Sequence, residues 1–329
     1  NSLTLNSGGG IVSNGGGLGS ALFSAGGLST LTLTSGALVA QSGNIGLAGG
    51  AVTAGSSLLY VHALGDVALN SYVLGSAGLV KDGAGTLTLG KTNYNTAQLF
   101  INEGTVKLAG GNNTWLVIPN STVPSVVDLV LNAGTLDLNG NSQAFARITH
   151  TTTSSYAGGA GSVVNTSATP ATLFIVNPVT TFSGTLGGTG GNNFGIDKTT
   201  ANALTLYTAA TYTGTTVVRG SQLILRDAAA LTGGGAVSAL QGATLTLDNS
   251  GLATSTARLG ASTVNLTGST LQFLGAAGSD TQTVGAVTLG AGANAVNVTL
   301  LGSNPVSGSS ALLTLASLTP SGSQATLNF

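Results

Sequence analysis

Residues 78–109, GLVKDGAGTLTLGKTNYNTAQLFINEGTVKLA, decide the fold class of this chain. TLTL at 86–89 and TVKL at 105–108 each follow a glycine and alternate polar with apolar residues. A polar bend, NYN at 93–95, and a further apolar run, LFI at 99–101, lie between them. Strict alternation over about four to eight residues is typical of a strand with one buried face. The leucines are therefore predicted to point inward and the threonines outward.

A rougher copy of this stretch occupies residues 194–226, FGIDKTTANALTLYTAATYTGTTVVRGSQLILR. ALTL at 203–206 corresponds to the first run, TYTG at 211–214 to the bend, and QLIL at 222–225 to the last run. Self-similar blocks of about 20 to 50 residues indicate a solenoid or another repeat array.

Both copies resemble the autotransporter-associated β-strand repeat of bacterial surface and secreted proteins. The residues that carry the resemblance are GAGTLTL at 83–89, NAGTLDLNGN at 132–141 and YTGTTV at 212–217. Residues 242–298 are similar to the segments that follow such repeats in very long bacterial proteins. The resemblance implies a passenger-type β-helix that works outside the cell.

The amino-acid composition argues against a disordered chain and against membrane-spanning helices. Among 329 residues there are 52 glycines, 42% hydrophobic residues, 5% charged residues and a net charge of −1. Disorder is disfavoured because it needs low hydrophobicity and high net charge, and no stretch offers the roughly 18 to 20 apolar residues of a membrane helix. Without cysteine the chain has neither disulfides nor thiol chemistry; without methionine it is interpreted as a mature product or an excised segment.

The predicted fold is therefore all-β, a right-handed parallel β-helix forming a single β-solenoid over residues 1–329. The full repeat copies are 78–109 and 194–226, and residues 110–124 and 151–170 are predicted to be longer loops. Leucine and valine ladders would fill the interior, and glycine would take positive φ at the corners. A β-propeller or a β-sandwich is the alternative, but both favour antiparallel hairpins with regular turns.

Two glycine-rich motifs resemble ligand-binding loops. Residues 85–92, GTLTLGKT, satisfy the phosphate-loop pattern, but the middle four residues alternate like a strand and no helix signal follows. The stretches at 16–21 and 187–192 approach a calcium repeat but lack its aspartate. Neither motif is interpreted as a site.

Catalytic groups are sparse. His62 and Asp66 are four residues apart and His150 is isolated, so packed or surface histidines are the favoured interpretation. Nine acidic residues are spread over the chain, with Asp128 and Asp137 the closest candidates for neighbours in adjacent coils. Asp137 is more simply interpreted as an outward position of a strand.

The remaining polar and aromatic groups are assigned to the surface. The side chains of Lys81, Lys91, Glu103 and Lys107 are predicted to form a solvated face of the first repeat. Eight basic residues at near-neutral net charge give no electrostatic footprint for nucleic acid. Tyr94 and Tyr212 occupy matching bends, where they would pack over corners or stack on sugars.

The sequence predicts no enzyme, and no catalytic, cofactor-binding or metal-binding residue. The leading hypothesis is an extracellular structural protein, a β-solenoid segment of a bacterial surface fibre, stalk or adhesin. It would associate end to end into filaments through its terminal coils, because no charged residue precedes Asp66 or follows Asp280. The alternative hypothesis is a β-helix that binds or cleaves carbohydrate, with surface glycans as ligands. Neither nucleic acid nor a membrane is a predicted partner.

Overall fold

The structure is a computed structural model that describes residues 2–5, 11–13, 30–34, 37–44, 50–116, 127–151, 161–176, 180–199, 202–301, 309–322 and 324–329. Within them the chain has strands, turns and bends and no helix. Contacts divide it into two compact units. Unit 1 is residues 1–152 with 159–171, and unit 2 is residues 153–158 with 172–329.

The strands of unit 1 are β1 (Ser2–Leu5), β2 (Ile11–Ser13), β3 (Thr30–Leu33), β4 (Ala37–Ala40), β5 (Gly43–Asn44), β6 (Ala51–Thr53), β7 (Leu59–Ala63), β8 (Val67–Leu69), β9 (Tyr72–Gly75), β10 (Leu79–Asp82), β11 (Thr86–Leu89), β12 (Asn93–Asn95), β13 (Leu99–Ile101), β14 (Thr105–Leu108), β15 (Trp115–Leu116), β16 (Leu129–Leu131), β17 (Thr135–Asp137), β18 (Gln143–Phe145), β19 (Ile148–Thr149) and β20 (Ser162–Val164). Within unit 1, all of these strands except β18 form three parallel sheets. Sheet 1 has the order β1-β3-β6-β9-β12-β15, sheet 2 the order β2-β4-β7-β10-β13-β16-β19, and sheet 3 the order β5-β8-β11-β14-β17-β20.

Five coils of unit 1, from β3 to β17, each contribute one strand to each sheet, so equivalent residues stack directly on one another. In sheet 2 one interior ladder runs through Leu59, Leu79, Leu99, Leu129 and Ile148, with steps of 20, 20, 30 and 19 residues. All five side chains are fully buried. The ladder exists because every coil places an aliphatic residue at the same inward position, which gives each one apolar neighbours above and below.

The strands of unit 2 are β21 (Ala171–Ile175), β22 (Thr180–Phe182), β23 (Thr185–Leu186), β24 (Phe194–Lys198), β25 (Ala203–Leu206), β26 (Thr216–Arg219), β27 (Gln222–Arg226), β28 (Val237–Leu240), β29 (Thr244–Asp248), β30 (Val264–Thr267), β31 (Thr270–Gly275), β32 (Ser279–Leu289), β33 (Gly292–Leu300), β34 (Ser310–Pro320) and β35 (Ala325–Asn328). Sheet 4 has the order β21-β24-β26-β28-β30-β32-β34, and sheet 5 the order β22-β25-β27-β29-β31-β33-β35. Parallel bridges from Leu186 to Ala210 and from Ala210 to Leu231 mark a third side.

The predicted all-β parallel solenoid is confirmed. The two TLTL-like runs pair in register, with Leu87 beside Val106 and Leu89 beside Leu108. In the second copy Leu204 pairs with Leu223 and Leu206 with Leu225 in the same way. In the runs 86–89 and 203–206 the inward leucines are buried and the outward threonines are half-buried, as the alternation predicts.

Local structure departs from the sequence predictions in three places. The expected bend at 93–95 is strand β12, with its two asparagines facing inward. Residues 162–164, inside the predicted loop 151–170, form β20, because Val163 continues the interior ladder above Leu136. The predicted loop 110–124 begins with a turn but reaches strand β15 at Trp115–Leu116; its residues 117–124 lie outside the described ranges. The single-domain boundary 1–329 stays a prediction.

Candidate functional site

The outer face of sheet 3 carries a groove of about 600 Å³ within unit 1. Strands β8, β11, β14 and β17 form its floor, and the outward residues there are small, chiefly Ala68, Thr86, Thr88 and Thr105. A groove forms because these short side chains leave space beside longer ones. Its lining includes the charged residues Asp66, Lys107 and Asp137.

The hydroxyl groups in and beside the groove differ in whether they form hydrogen bonds with other protein groups. Thr86, Thr105, Thr135 and Ser162 stack in one outward column. Thr135 and Ser162 share a hydrogen bond of 2.9 Å between their hydroxyl groups. Within the described residues, the hydroxyls of Thr86, Thr88 and Thr105 bond to no protein group. Three unsatisfied donor–acceptor groups therefore face the groove.

The two carboxylates of the groove have different surroundings. Asp137, predicted to be a plain outward residue, is buried: its carboxylate accepts hydrogen bonds from the amides of Asn139 and Thr166 and from the Thr166 hydroxyl, at 2.9, 3.0 and 2.6 Å. Lys107 Nζ lies 3.8 Å from it. Asp66 is exposed and accepts one bond from the amide of Thr86, at 3.2 Å. Asp137 is thus structural, whereas Asp66 keeps free acceptor capacity.

Ion pairs with arginine side chains of neighbouring coils bind three of the other seven carboxylates. Asp128 binds Arg147, Asp197 binds Arg219 at 3.0 Å, and Asp248 binds Arg226 at 3.1 Å. Hydrogen bonding to these carboxylates raises the pKa of Arg147 and of Arg219. Asp128 and Asp137, the closest candidates for acidic neighbours in adjacent coils, each lie beside a basic residue, Arg147 and Lys107.

Arg258 is a buried group that the sequence reasoning missed. It is fully buried in unit 2, where Nε donates to Asn249 Oδ1 at 2.7 Å and Nη1 donates to the carbonyls of Asp227 and Ala229 at 2.9 and 2.8 Å. Burial lowers the pKa of Arg258 against the opposing attraction of nearby carboxylates. The guanidinium group therefore links the corner of one coil to the loop of the next through hydrogen bonds.

Three acidic residues, Asp227, Asp248 and Asp280, surround Arg258. Each accepts a bond from a backbone amide, of Leu252, Ser250 and Ala276, at 2.6, 2.8 and 2.8 Å. These carboxylates hold loops in place. Their proximity could not be derived from their separate positions along the sequence.

Lys81 was predicted on a solvated face, and this is wrong. Lys81 is fully buried and stacks between Val61 and Ile101 in an interior ladder. Its Nζ donates to the carbonyls of Asp82, Gly83 and Glu103, at 3.1, 2.6 and 3.0 Å. Three carbonyls at a corner satisfy the three donors of the ammonium group, so the long side chain lies among aliphatic residues while its charge is hydrogen-bonded. The other three residues of that face, Lys91, Glu103 and Lys107, are half-buried or exposed.

Lys198 repeats this arrangement in the second copy. It is fully buried at the end of β24, and its Nζ donates to the carbonyl of Thr199 at 2.8 Å. Desolvation lowers the pKa of Lys198.

His62 lies beside an acidic residue of the adjacent coil rather than beside Asp66. His62 Nδ1 lies 3.4 Å from Asp82 Oδ2 on the adjacent coil, and both side chains are more than one-third exposed. Asp66 instead contacts Thr86, as described above. His150 is half-buried beyond the end of β19.

The two tyrosines differ in exposure. Tyr94 is half-buried and faces outward, with its ring 6.0 Å from that of Tyr72. Tyr212 is buried, 5.3 Å from the ring of Phe194, and its hydroxyl shares a 2.6 Å hydrogen bond with that of Thr216. Burial raises the pKa of Tyr212. Tyr212 therefore packs at a corner and offers no surface for stacking on a sugar.

The glycine-rich motifs have structural roles where they are described. Within the phosphate-loop pattern, residues 86–89 are strand β11, and the next element is a strand, β12. The calcium-like stretch at 187–192 contains a turn at 189–190, and the one at 16–21 lies outside the described residues. In the parts of the chain that the structure covers, no cluster of three or more His, Cys, Asp or Glu side chains could hold a metal ion. Those parts also contain no helix long and apolar enough to cross a membrane.

No protein-family model, curated protein or solved structure matches this chain, so its resemblance to autotransporter-associated repeats stays an interpretation of the motifs.

Proposed function

We propose that this chain is a non-enzymatic structural protein, a β-solenoid segment of a bacterial surface fibre, stalk or adhesin that works outside the cell. We further propose that it associates end to end through its terminal coils. The observation that carries the proposal is the last coil of unit 2, which presents apolar side chains and a strand edge with no charge to protect it.

The last coil exposes residues that would be interior in any earlier coil. β34 pairs with β32 on one side and is the last strand of sheet 4 among the described residues. Val296, Val298, Leu313, Leu315 and Phe329 line an apolar groove of about 290 Å³. Phe329 is 81% exposed and Val298 44% exposed. Contiguous exposed apolar surface of this kind is typical of an interaction site.

The unpaired backbone edge of the last coil is a second reason to propose a binding partner there. Eleven residues of β34 and four of β35 form the final strands of sheets 4 and 5. Soluble proteins usually protect such edges with charged residues or proline; β34 has a proline only at its last residue, Pro320, and this chain has no charged residue after Asp280. An edge without charge accepts another strand without the cost of desolvating an ion.

A second copy of this chain offers strands of the matching kind. β1 and β2 come first in sheets 1 and 2, and residues 1–65 contain no charged side chain. Parallel stacking of β1 or β2 on the last coil would continue the hydrogen-bonding pattern of the solenoid. A heterologous contact that does not close on itself produces a filament.

Electron microscopy and sedimentation velocity over a range of protein concentrations test the proposal. Native protein is expected to form unbranched fibres, whereas Leu313→Lys, which places a charge in the apolar groove, is expected to remain single particles. Leu252→Lys is the matched control because Leu252 is 76% exposed in a bend away from that edge. Single particles of the native protein at every concentration, or fibres of the Leu313 variant as abundant as native ones, would overturn end-to-end association.

A further inference from the structure

We propose that the groove on the outer face of sheet 3 binds a neutral polysaccharide. This inference is independent of end-to-end association, because the groove lies on the side of unit 1 and uses none of the residues of the last coil. It makes specific the carbohydrate-binding alternative that the sequence left open, and it places the site away from the tyrosines.

The geometry of the groove suits an extended chain. Its floor crosses the strands β8, β11, β14 and β17 in order. Neighbouring strands lie about 4.8 Å apart, so the floor is about 14 Å long between its outer strands. It is an open channel rather than a closed cavity, and a polymer could lie along it without threading an end. This length exceeds a single sugar ring and matches a short run of linked sugars.

The chemistry of the lining matches sugar hydroxyl groups. The free hydroxyls of Thr86, Thr88 and Thr105 can each donate and accept a hydrogen bond. The exposed carboxylate of Asp66 accepts two or more bonds beyond the one from the Thr86 amide. Charge-assisted bonds of this kind are the stronger ones available to a neutral hydroxyl. Lys107 supplies a donor at the side of the channel.

The charge of the groove selects against acidic polymers. Asp66 and Asp137 carry two negative charges and Lys107 one positive charge, so these three residues leave one net negative charge. A uronate or sulfate polymer would meet a carboxylate in this channel, which is unfavourable at short range. The lining contains no aromatic residue among those described, so hydrogen bonds rather than stacking would provide the affinity. We therefore expect dissociation constants near the millimolar range, about −4 kcal/mol.

The test is affinity electrophoresis of the full chain in gels that contain neutral polysaccharides (dextran, xylan, mannan and a β-glucan) or anionic ones (alginate and heparin). Native protein is expected to be retarded by at least one neutral polymer and by neither anionic one. The double variant Asp66→Asn, Thr88→Val is expected to reduce the association constant at least tenfold. Both changes conserve shape, and the side-chain oxygen of the introduced asparagine can still accept the bond from the Thr86 amide, so the fold should be retained; circular dichroism checks this.

Two further variants assign the site. Thr205→Val removes a comparable half-buried outward threonine from sheet 5 and is expected to bind like the native protein. Tyr94→Ala removes the outward tyrosine of sheet 1 and is also expected to leave binding unchanged. The proposal is wrong if no neutral polymer retards the native chain, if the groove variant binds normally, or if the loss occurs with Tyr94→Ala instead. Binding is measured at a concentration where sedimentation shows single particles, so its outcome does not depend on self-association.

Discussion

The buried ammonium of Lys81 makes the stability of the solenoid depend on pH in a direction that can be calculated. Burial lowers the pKa of Lys81 from its ordinary value of 10.5 to about 8, against the opposing attraction of Asp82 and Glu103. Between these two values the unfolded chain holds a proton that the folded chain has released. Stability therefore rises with pH in this window. Integrated from pH 7 to pH 10, the gain from this one group is roughly 2 to 3 kcal/mol.

The variant Lys81→Met isolates this contribution. Methionine has nearly the same length but neither charge nor donors, so the pH dependence disappears while the three carbonyl partners lose their bonds. Urea unfolding at pH 7, 8, 9 and 10 gives the free energy of unfolding of each protein. The native value minus the variant value is expected to increase by roughly 2 to 3 kcal/mol across the series. Burial also lowers the pKa of Lys198. Because Lys198 is present in both proteins, its contribution cancels in the difference between their free energies of unfolding.

The pH window and the control make the result interpretable. The series stops at pH 10 because burial raises the pKa of Tyr212, which lowers stability at higher pH as tyrosines of the unfolded chain ionise. Lys107→Met is the matched control, because the Lys107 side chain is 37% exposed on an outward position. A difference between native protein and the Lys81 variant that stays constant from pH 7 to 10 would refute the buried, hydrogen-bonded ammonium.

Three further predictions concern corners and buried groups. Gly85→Ala should prevent normal stacking of the coils, because a Cβ there would lie 2.0 Å from the carbonyl oxygen of the coil below, whereas Gly322→Ala meets nothing within 4 Å and should leave the melting temperature unchanged. Arg258→Ala should cost about 3 to 5 kcal/mol in urea unfolding because it empties a buried polar network, while Arg219→Ala, which removes a partly exposed ion pair, should cost about 1 kcal/mol or less. Tyr212→Phe should lose about 1 kcal/mol at neutral pH and reduce the fall in stability that the native protein shows above pH 10.

The fold could be predicted from the sequence because its strands repeat one local pattern. TLTL at 86–89 and TVKL at 105–108 are nearly identical in their order of polar and apolar residues, and they pair residue for residue. A parallel solenoid needs the same inward side chains on successive coils, so internal similarity and three-dimensional pairing contain the same information. Strand β20 escaped prediction because only Val163 and Val164 distinguish it from its Ser- and Gly-rich surroundings.

The groove could not be predicted in the same way. Its lining comes from residues that are 71 positions apart, Asp66 and Asp137, and from threonines that look like every other outward threonine. Only the register between coils shows that Thr86 and Thr105 form one column, and only the hydrogen bonds show that their hydroxyls are free while that of Thr135 is bound to Ser162. Outward residues contribute to solubility as well as to ligand binding, so the residue type alone does not identify a binding site.

The error at Lys81 shows which sequence signal should have been preferred. Charge suggested a solvated lysine, but the alternation within β10 places Lys81 on the same side as Leu79, and the register aligns it with Val61 and Ile101. When the aligned residues of both neighbouring coils are aliphatic, the side chain between them is expected to point inward even if it is charged. The condition is that its charged end can reach hydrogen-bond acceptors. A lysine near the end of a strand meets that condition, because the corner beyond it has carbonyls that no strand pairing uses. Lys198, at the last residue of β24, is aligned with Val218 of the next coil and is buried too.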